Sequence, residues 1–340
     1  MRWILRLLGL VVVIGAVLVL IYGKSAFLAQ DQVGSSVRFE VSTSTQSDLP
    51  KALKEADIVD SAFGYRLYMF VDKAASRSKL GVYEVQRGSS YRDIARLLAL
   101  GPTRNETKVT VIEGWTMREM VAALETEEVD PKEFARLAGI SGGKGGMDAT
   151  LKNQYTFLKD LPDSRSLEGY LFPDTYRVWK DQLPEGLIRK QLGEFERRYK
   201  DVEIPEKLAP LKTLDDVVIL ASIVEKEVRD PQDRHHVAGL FLNRLKIGMA
   251  LQSDATVSYI TGSKRARSTF TDLENRSLYN TYQHRGLPPG PVSSPGATAM
   301  EAVLDPDETD DLYFLTDEAG KVYYAKTLQE HAKNRVKAGF

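Results

Sequence analysis

The hydrophobic pattern begins with an apolar run, Ile4–Tyr22, that is interrupted only by Arg6 and three small residues. A helix of this length extends for roughly 28 Å at about 1.5 Å per residue, which is close to the thickness of a bilayer core. Arg2 and Arg6 precede the centre of the run and only Lys24 follows it directly. This bias predicts a single-pass anchor whose short N-terminal end stays in the cytoplasm and whose remaining chain lies outside.

A cleaved signal peptide is the alternative interpretation of the same run. Its apolar region is about 7–15 residues long and ends at an A-x-A-like site. The present run is longer, residues 24–29 contain no such site, and no second long apolar run follows. We therefore assign residues 1–24 to a cytoplasmic tip and membrane anchor, and the polar residues 25–36 to a linker.

Beyond the linker, alternating and periodic patterns predict strand–helix units. The predicted strands are 37–41, 81–85 and 109–112, and the helices that follow them are 49–57, 90–98 and 116–124. The last two segments align at an offset of 26 residues, with Ser90-x-x-Asp93 and Thr116-x-x-Glu119 as helix caps. The alignment predicts a small repeated β–α module within residues 37–130.

Five glycines between residues 139 and 147 predict a flexible connection, which we assign to residues 131–165. The glycines do not form a phosphate loop, because that motif needs a Ser or Thr directly after its lysine. They do not form a nucleophile elbow either, because that motif follows a strand. A second region begins at residue 166. Its predicted helices are 185–199, 214–228 and 234–246, followed by a hairpin at 312–325 and a final helix capped by Thr327.

Composition places the chain among ordinary globular proteins. Its 340 residues are 43% hydrophobic and 27% charged, with a formal net charge of −1, which excludes a wholly disordered chain and gives no basic field for nucleic acid. Cysteine is absent, which excludes disulfides, thiolate ligands and cysteine nucleophiles. The four histidines show no H-E-x-x-H motif and no i,i+4 pair. We therefore expect neither a metal nor a cofactor.

The most apolar helix beyond the anchor, 214–228, carries Glu225 and Glu227 near its end. At about 100° per residue, Glu225 falls on an apolar face and Glu227 lies about 200° away, so the two cannot form a carboxylate pair. Burial raises the pKa of a carboxyl group, which would let Glu225 donate a proton to a leaving oxygen near neutral pH. A structural ion pair with Arg229 or Arg244 is the alternative, and we interpret Glu227 as structural.

Several long motifs surround this helix. They are A-S-I-V-E-K-E at 221–227, F-L-N-R-L-K-I-G-M-A-L-Q-S-D-A-T-V at 241–257, E-G-Y-L-F-P-D-T-Y at 168–176, Y-N-T-Y at 279–282, G-L-P-P-G-P at 286–291, A-K-T-L at 325–328 and E-G-W-T at 113–116. On these motifs the chain resembles the endolytic murein transglycosylase family, the YceG-like proteins. The resemblance covers about residues 37–338 and is strongest over 165–330.

The resemblance implies an α+β fold with a single N-terminal transmembrane helix. A LysM-like α/β subdomain would occupy residues 37–130, and a mixed α/β catalytic domain would occupy residues 166–340. It also implies a protein of the cytoplasmic (inner) membrane, with its catalytic domain on the periplasmic or extracytoplasmic side. Peptidoglycan glycan strands and peptidoglycan synthases are its implied partners.

The implied activity is cleavage of the MurNAc-β-1,4-GlcNAc bond within glycan strands, which leaves 1,6-anhydro-MurNAc ends and terminates nascent strands. The family's catalytic Glu corresponds to Glu225, as the single general acid and base. A glycoside hydrolase needs a second carboxyl group, whereas a lytic transglycosylase uses the C6 hydroxyl of MurNAc as its nucleophile. The substrate-binding candidates are polar and aromatic residues of the matching motifs: Glu168, Tyr170, Gln252, Asp254, Thr256, Tyr259, Asn280 and Tyr282.

Two other functions are compatible with parts of the sequence. A non-enzymatic scaffold could use the anchor and the LysM-like part to bind peptidoglycan, although the full motif around Glu225 argues against it. An aminodeoxychorismate lyase, a label sometimes given to this family, would be a cytoplasmic pyridoxal-phosphate enzyme. The predicted topology places the domain on the opposite side of the membrane, and no Schiff-base lysine or phosphate loop stands out.

Overall fold

The structure, a computed structural model, describes residues 35–72, 77–102, 106–125, 129–140, 146–228, 230–263 and 268–339, together with Trp3, Val17 and Gly23. Apart from those three residues, the predicted anchor lies outside the described residues, as does most of the predicted linker. Within the described ranges, none of the helices has both the length and the apolar character needed to cross a membrane. The chain divides into two compact units, Met1–Asn105 and Glu106–Phe340.

The smaller unit is built on two antiparallel strands, β1 (Ser36–Val41) and β2 (Gly81–Gln86). Its helices are α1 (Thr43–Ser47), α2 (Leu49–Glu55), α3 (Ala62–Val71) and α4 (Tyr91–Leu100). Because side chains alternate along a strand, one face of the pair buries Phe39 and Tyr83, which are direct partners in the register. These side chains form the core of the unit together with buried residues of the helices, such as Leu53, Tyr65 and Leu98.

The larger unit contains two further antiparallel strand pairs. Strand β3 (Glu106–Thr110) pairs with β4 (Thr175–Trp179), and β5 (Tyr313–Thr316) pairs with β6 (Val322–Ala325). Its helices are α5 (Met117–Leu124), α6 (Pro131–Ala138), α7 (Ala149–Gln154), α8 (Glu185–Tyr199), α9 (Leu214–Glu227), α10 (Pro231–Lys246), α11 (Asp254–Thr261), α12 (Phe270–Leu273), α13 (Ala297–Leu304) and α14 (Leu328–Lys337). The result is a mixed α/β architecture.

Helix α9 lies at the centre of the larger unit. It begins with a capping box between Thr213 and Asp216, and every residue from Val217 to Val224 is buried. Helices α10, α11 and α13 pack around it. A helix that is apolar on nearly all sides is buried on most of them, as the sequence predicts, and this packing fixes the orientation of its last turn.

The helices and the hairpin predicted in the second region are confirmed. Helix α8 has the predicted bounds, and α14 begins after a capping box between Thr327 and Glu330. Helix α10 begins three residues earlier than predicted, at Pro231. The reason is local: Asp230 caps the helix with its side chain, and proline is well suited to the first helical position.

The structure divides the chain at a different place from the predicted boundary at residue 130. Strand β3 pairs with β4, and α5 buries Met120 and Leu124 in the core of the larger unit. The two segments that align in sequence therefore belong to different units and do not form one module. Within residues 131–165, helices α6 and α7 bury Phe134 and Leu151 in the same core, so the described part of this stretch is packed rather than a flexible connection.

Candidate active site

Glu225 lies in the last turn of α9, where the packing of the preceding turns directs its side chain inward. Its side chain is only 5% exposed. Two donors hold the carboxylate: Nη2 of Arg234 lies 2.7 Å from Oε1, and the backbone N–H of Gly296 lies 3.0 Å from Oε2. Each carboxylate oxygen keeps a second lone pair that can accept a proton.

Arg234, on the first turns of α10, is itself buried with 8% of its side chain exposed. Its guanidinium also donates to the hydroxyl of Thr298 and to the carbonyl of Val228, the latter at 3.4 Å. An ion pair is thus present at Glu225, and its partner among the described residues is Arg234 rather than the predicted Arg244. Arg244 instead donates to the carbonyl of Leu312 at 2.6 Å, and residue 229 lies outside the described ranges.

The pKa of the Glu225 carboxyl group is raised above its ordinary value, chiefly because burial disfavours the charged form. The Gly296 N–H and the Arg234 guanidinium act in the opposite direction, since both stabilise the carboxylate. The negative charge of Glu113 adds to the increase. The pKa of Glu225 is therefore raised, as predicted. The same carboxyl group has two hydrogen-bond donors that stabilise its ionised form.

Glu113 is a neighbour of Glu225 that the sequence reasoning did not select as a site residue. A Cβ placed on Gly296 would lie 2.2 Å from the carboxyl carbon of Glu113, while the N–H of Gly296 binds Glu225. The two carboxyl groups thus lie on either side of one glycine. Gly114, with φ of +75°, brings the backbone close as well, since its Cβ position is 3.5 Å from Cγ of Glu225. The available signal was the position of Glu113 in the E-G-W-T motif.

Glu227 occupies a separate environment on the opposite side of α9. The Ser253 hydroxyl donates to its carboxylate, and the Ala255 N–H does so as well, at the start of α11. Burial raises the pKa of Glu227 to about 7, with a further increase from the charge of Asp254. Both hydrogen bonds of the Glu227 carboxylate are thus made to the start of α11 within the protein.

Glu168 is a buried carboxyl group that supports the first turn of α5. Its two oxygens accept from the N–H of Met117 at 3.0 and 3.2 Å, and it shares a hydrogen bond with the Tyr259 hydroxyl. Burial raises the pKa of Glu168 to about 8. Arg118 fixes Tyr259 from outside, since its Nη2 lies 2.7 Å from the Tyr259 carbonyl oxygen. These contacts join α5, α11 and the 168–176 segment.

Three further candidates use their polar groups inside the protein. The Tyr170 hydroxyl donates to Asp215 at 2.6 Å. The Thr256 hydroxyl donates to the Ser253 carbonyl at 2.7 Å, and the Asn280 amide donates to the Leu273 carbonyl at 3.0 Å. All three candidate side chains are buried. Their hydrogen bonds are those of residues that hold loops and helices in place.

Gln252, Asp254 and Tyr282 lie closer to solvent. Gln252 is exposed at a φ of +50°, and its N–H donates to the Thr281 carbonyl at 3.1 Å. The Tyr282 hydroxyl donates to Asp254 at 3.3 Å. The structure thus places Asp254 and Tyr282 beside Glu227, whereas Gln252 contacts Thr281. Across the described residues, no hydrogen bond or ion pair joins Glu225 to any of the eight predicted binding residues, and no cluster of three His, Asp or Glu side chains could hold a metal ion.

Comparisons with known proteins match most of the chain. The YceG-like family model matches residues 39–337. A relative from Bacillus subtilis (strain 168), named endolytic murein transglycosylase, is 34% identical over 336 residues, which cover 93% of this chain and 89% of the relative. A relative of the same name from Streptococcus pneumoniae (strain D39) is 31% identical over 311 residues, or 86% of this chain. The alignment spans 56% of that longer protein.

A solved structure is also similar. A YceG-like protein from Listeria monocytogenes superposes with a TM-score of 0.56 at 28% sequence identity. The superposition covers 88% of this chain and 99% of the Listeria chain. The likeness extends to the mixed α/β fold described above.

Proposed function

Because the chain belongs to the YceG-like family, we propose that it is an endolytic murein transglycosylase that cleaves the MurNAc-β-1,4-GlcNAc bond within peptidoglycan glycan strands. The observation that carries the proposal is the environment of Glu225. A single carboxyl group with a raised pKa is held by a buried arginine and one backbone N–H. This arrangement suits a reaction in which one residue gives and then takes a proton.

In the proposed mechanism, Glu225 first protonates the glycosidic oxygen, and the C1–O bond of MurNAc breaks. Arg234 and the Gly296 N–H stabilise the carboxylate that forms, because both donate to its oxygens. The carboxylate then removes the proton from the C6 hydroxyl of MurNAc, whose oxygen bonds to C1. Glu225 regains its proton, no water is consumed, and the product ends in 1,6-anhydro-MurNAc.

Replacement of Glu225 by Gln tests this assignment. The amide keeps the size of the side chain and cannot exchange a proton, so we expect loss of turnover by at least a hundredfold with a folded protein. The measurement is mass spectrometry of peptidoglycan incubated with the full chain. Glu203→Gln, a substitution of an exposed Glu in the same unit, is the matched control and should retain activity.

The masses of the fragments separate the alternatives. Internal fragments lighter by one water than hydrolysis products, formed by the wild type alone, support the proposal. Reducing-end fragments would indicate a hydrolase, and its second carboxyl group would be Glu113 rather than Asp254, because Asp254 contacts Tyr282 beside Glu227. Binding of strands with no fragments would indicate the scaffold alternative.

We further propose that residues 4–22 anchor the chain in the cytoplasmic membrane with the enzyme outside. The smaller unit has two paired antiparallel strands, and the chain between them forms helices, so we propose this unit as the LysM-like part. Synthases that extend nascent strands would be partners. Alkaline washing of membranes should leave the full chain in the pellet and release a chain that begins at residue 25. Release of both chains would contradict the anchor.

A further inference from the structure

A cavity of about 270 Å³ lies in the larger unit, beside the proposed reaction site. It is lined by the first turn of α5, the last turn of α9 and one face of α11. The side chains that give it chemical character are Arg118, Glu119, Lys226 and Tyr259. Of the eight predicted binding residues, only Tyr259 lines it.

Gly114 lies close both to Glu225 and to Lys226, which lines the cavity. A Cβ placed on Gly114 would lie 3.5 Å from Cγ of Glu225 and 3.6 Å from Cδ of Lys226. Nζ of Lys226 donates to the Gly114 carbonyl oxygen at 3.1 Å. The side chains of Glu225 and of its neighbour Lys226 thus both lie close to the same glycine, so the cavity is next to the Glu225 environment.

The cavity carries an excess of positive charge. Arg118 is held in place by its bond to the Tyr259 carbonyl and by the Tyr259 ring, whose centroid lies 5.4 Å from its guanidinium carbon. Lys226 uses one of its three hydrogens on Gly114, so both cations keep donors for a ligand. Glu119 is the only acid among the described lining residues.

The Glu119 carboxylate has its own partners. It accepts from the N–H and the hydroxyl of Thr116 at 2.8 and 3.0 Å, as part of the capping box of α5. Glu168, which bonds Tyr259 from the interior, has a pKa raised by burial to about 8, so it does not add a negative charge near pH 7. The two cations therefore remain available to an anionic group.

We propose that this cavity is a subsite for a carboxylate of the peptide stem carried by the MurNAc whose glycosidic bond is cleaved. The inference rests on the proposed function. The stem is attached to MurNAc itself through its lactyl group, so it leaves the strand at the sugar that Glu225 would address. A guanidinium and an ammonium group are suited to a carboxylate.

The size of the cavity agrees with this occupant. Complete small-molecule sites measure about 300–1,000 Å³, so a cavity of about 270 Å³ would take part of a stem rather than a disaccharide with its peptide. The same charge chemistry would suit the lactyl carboxylate of a MurNAc that has lost its stem. The two sources place the carboxylate at different distances from the sugar ring, and substrates with and without stems distinguish them.

The test measures binding by the full chain in detergent, in the inactive Glu225→Gln background. Three fluorescent soluble strands serve as probes: strands with stems, strands whose stem carboxylates are amidated, and strands freed of stems by an amidase. Lys226→Met removes the charge and keeps the aliphatic chain. We expect it to weaken binding of stem-bearing strands about tenfold, the equivalent of about 1.4 kcal/mol, and to leave amidated strands unaffected.

Controls keep the outcome specific. Lys132→Met removes an exposed lysine outside the cavity and should change none of the affinities. Arg118→Gln is the second variant and should act in the same direction as Lys226→Met. Equal affinity of the parent and both variants for stem-bearing strands would overturn the subsite, and so would an equal loss on amidated strands. A loss confined to stem-free strands would assign the cavity to the lactyl carboxylate and overturn the stem.

Failure of the subsite and failure of the enzymatic proposal give different results. Binding is measured in a background that cannot turn over, so the affinities do not depend on the reaction. A wild type that releases no fragments would contradict the proposed activity and leave the charge dependence of binding intact. A wild type that releases fragments, together with unchanged affinities of the Lys226 variant, would contradict the subsite alone.

Discussion

The proton transfer proposed for Glu225 depends on opposing influences on one carboxyl group. Burial and the charge of Glu113 raise its pKa, whereas Arg234 and the Gly296 N–H lower it, and the net shift is upward. The upward shift favours the protonated form of the carboxyl group, while the two donors bind the oxygens that become charged. A catalyst that is an acid in one step and a base in the next needs both conditions.

Glu113→Gln should move the alkaline limb of the pH–rate profile to lower pH. The negative charge of Glu113 disfavours ionisation of Glu225, so its removal lowers the pKa of Glu225 and reduces the protonated fraction at neutral pH. The measurement is the initial rate of anhydro-product formation between pH 5 and about pH 8. Glu113→Asp keeps the charge and should retain a limb closer to that of the wild type.

A profile of Glu113→Gln with the wild-type shape and a uniformly lower rate would contradict this role. Such a result would mean that Glu113 contacts substrate and does not set the protonation of Glu225. Glu203→Gln is again the matched control, because it removes one exposed carboxylate from the same unit.

The sequence predicts the burial of Glu225 because its apolar neighbours recur at helical spacing. It does not identify Arg234, because Arg234 belongs to the next helix and only the packing of α10 on α9 brings it to Glu225. The hydrogen bond from the Gly296 N–H to Glu225 could not be predicted from the local sequence either, because only the tertiary fold brings the two residues together. The side chains of Thr256 and Asn280 form hydrogen bonds within the protein. Membership of a motif does not tell whether a residue binds substrate or holds the fold in place.

At the scale of elements, the start of α13 determines the geometry around Glu225. Gly296→Ala should reduce turnover at least tenfold, because its Cβ would lie 2.2 Å from the Glu113 carboxyl carbon and would displace either that group or the N–H donor. Its φ of −77° suits any residue, so the effect would be steric rather than conformational. The measurement is the rate of anhydro-product formation together with a thermal unfolding midpoint.

Gly193→Ala is the matched glycine substitution. Gly193 lies inside α8, and a Cβ there would meet no atom within 4 Å. Alanine should therefore stabilise the protein by about 0.5–1 kcal/mol through helix propensity and leave activity unchanged. Equal turnover by the Gly296 and Gly193 variants would show that the close approach of Glu113 to Gly296 has no consequence for the reaction.

Helices with a strong amphipathic pattern can be predicted from the sequence, whereas strands that form by pairing with a distant segment cannot. Helix α8 is amphipathic and has the predicted bounds. Helix α3 has no predicted counterpart, because it exposes Phe70 (85% exposed) while burying Tyr65 and Tyr68, so apolar residues occupy both of its faces. Strand β4 takes its structure from β3, which lies far away in the chain.

At the scale of the whole molecule, pairing across the chain sets the division into two units. Sequence similarity joins the segments at 81–98 and 109–124 into one module, but β2 pairs with β1 and β3 pairs with β4. Strand pairing depends on cross-strand hydrogen bonds and packing that a local pattern does not contain. A boundary placed by repeats therefore falls inside the larger unit.

The larger unit should lose stability as the pH rises from about 5 to about 8. Folded Glu168 keeps its proton up to a pKa of about 8, and folded Glu227 up to about 7, whereas an unfolded Glu loses it near pH 4.3. Between these values the folded state binds more protons. The free energy of unfolding therefore falls with pH, by up to about 1.4 kcal/mol per pH unit for each group.

Glu168→Gln isolates one of these contributions. The amide cannot ionise and still offers an oxygen to the Met117 N–H, so the slope between about pH 5 and 8 should become shallower. Urea unfolding followed by tryptophan fluorescence measures it, because Trp115 and Trp179 both belong to the larger unit. Glu203→Gln should keep the wild-type slope. An unchanged slope in Glu168→Gln would mean that this carboxyl group is ionised in the folded protein, against the effect of its burial.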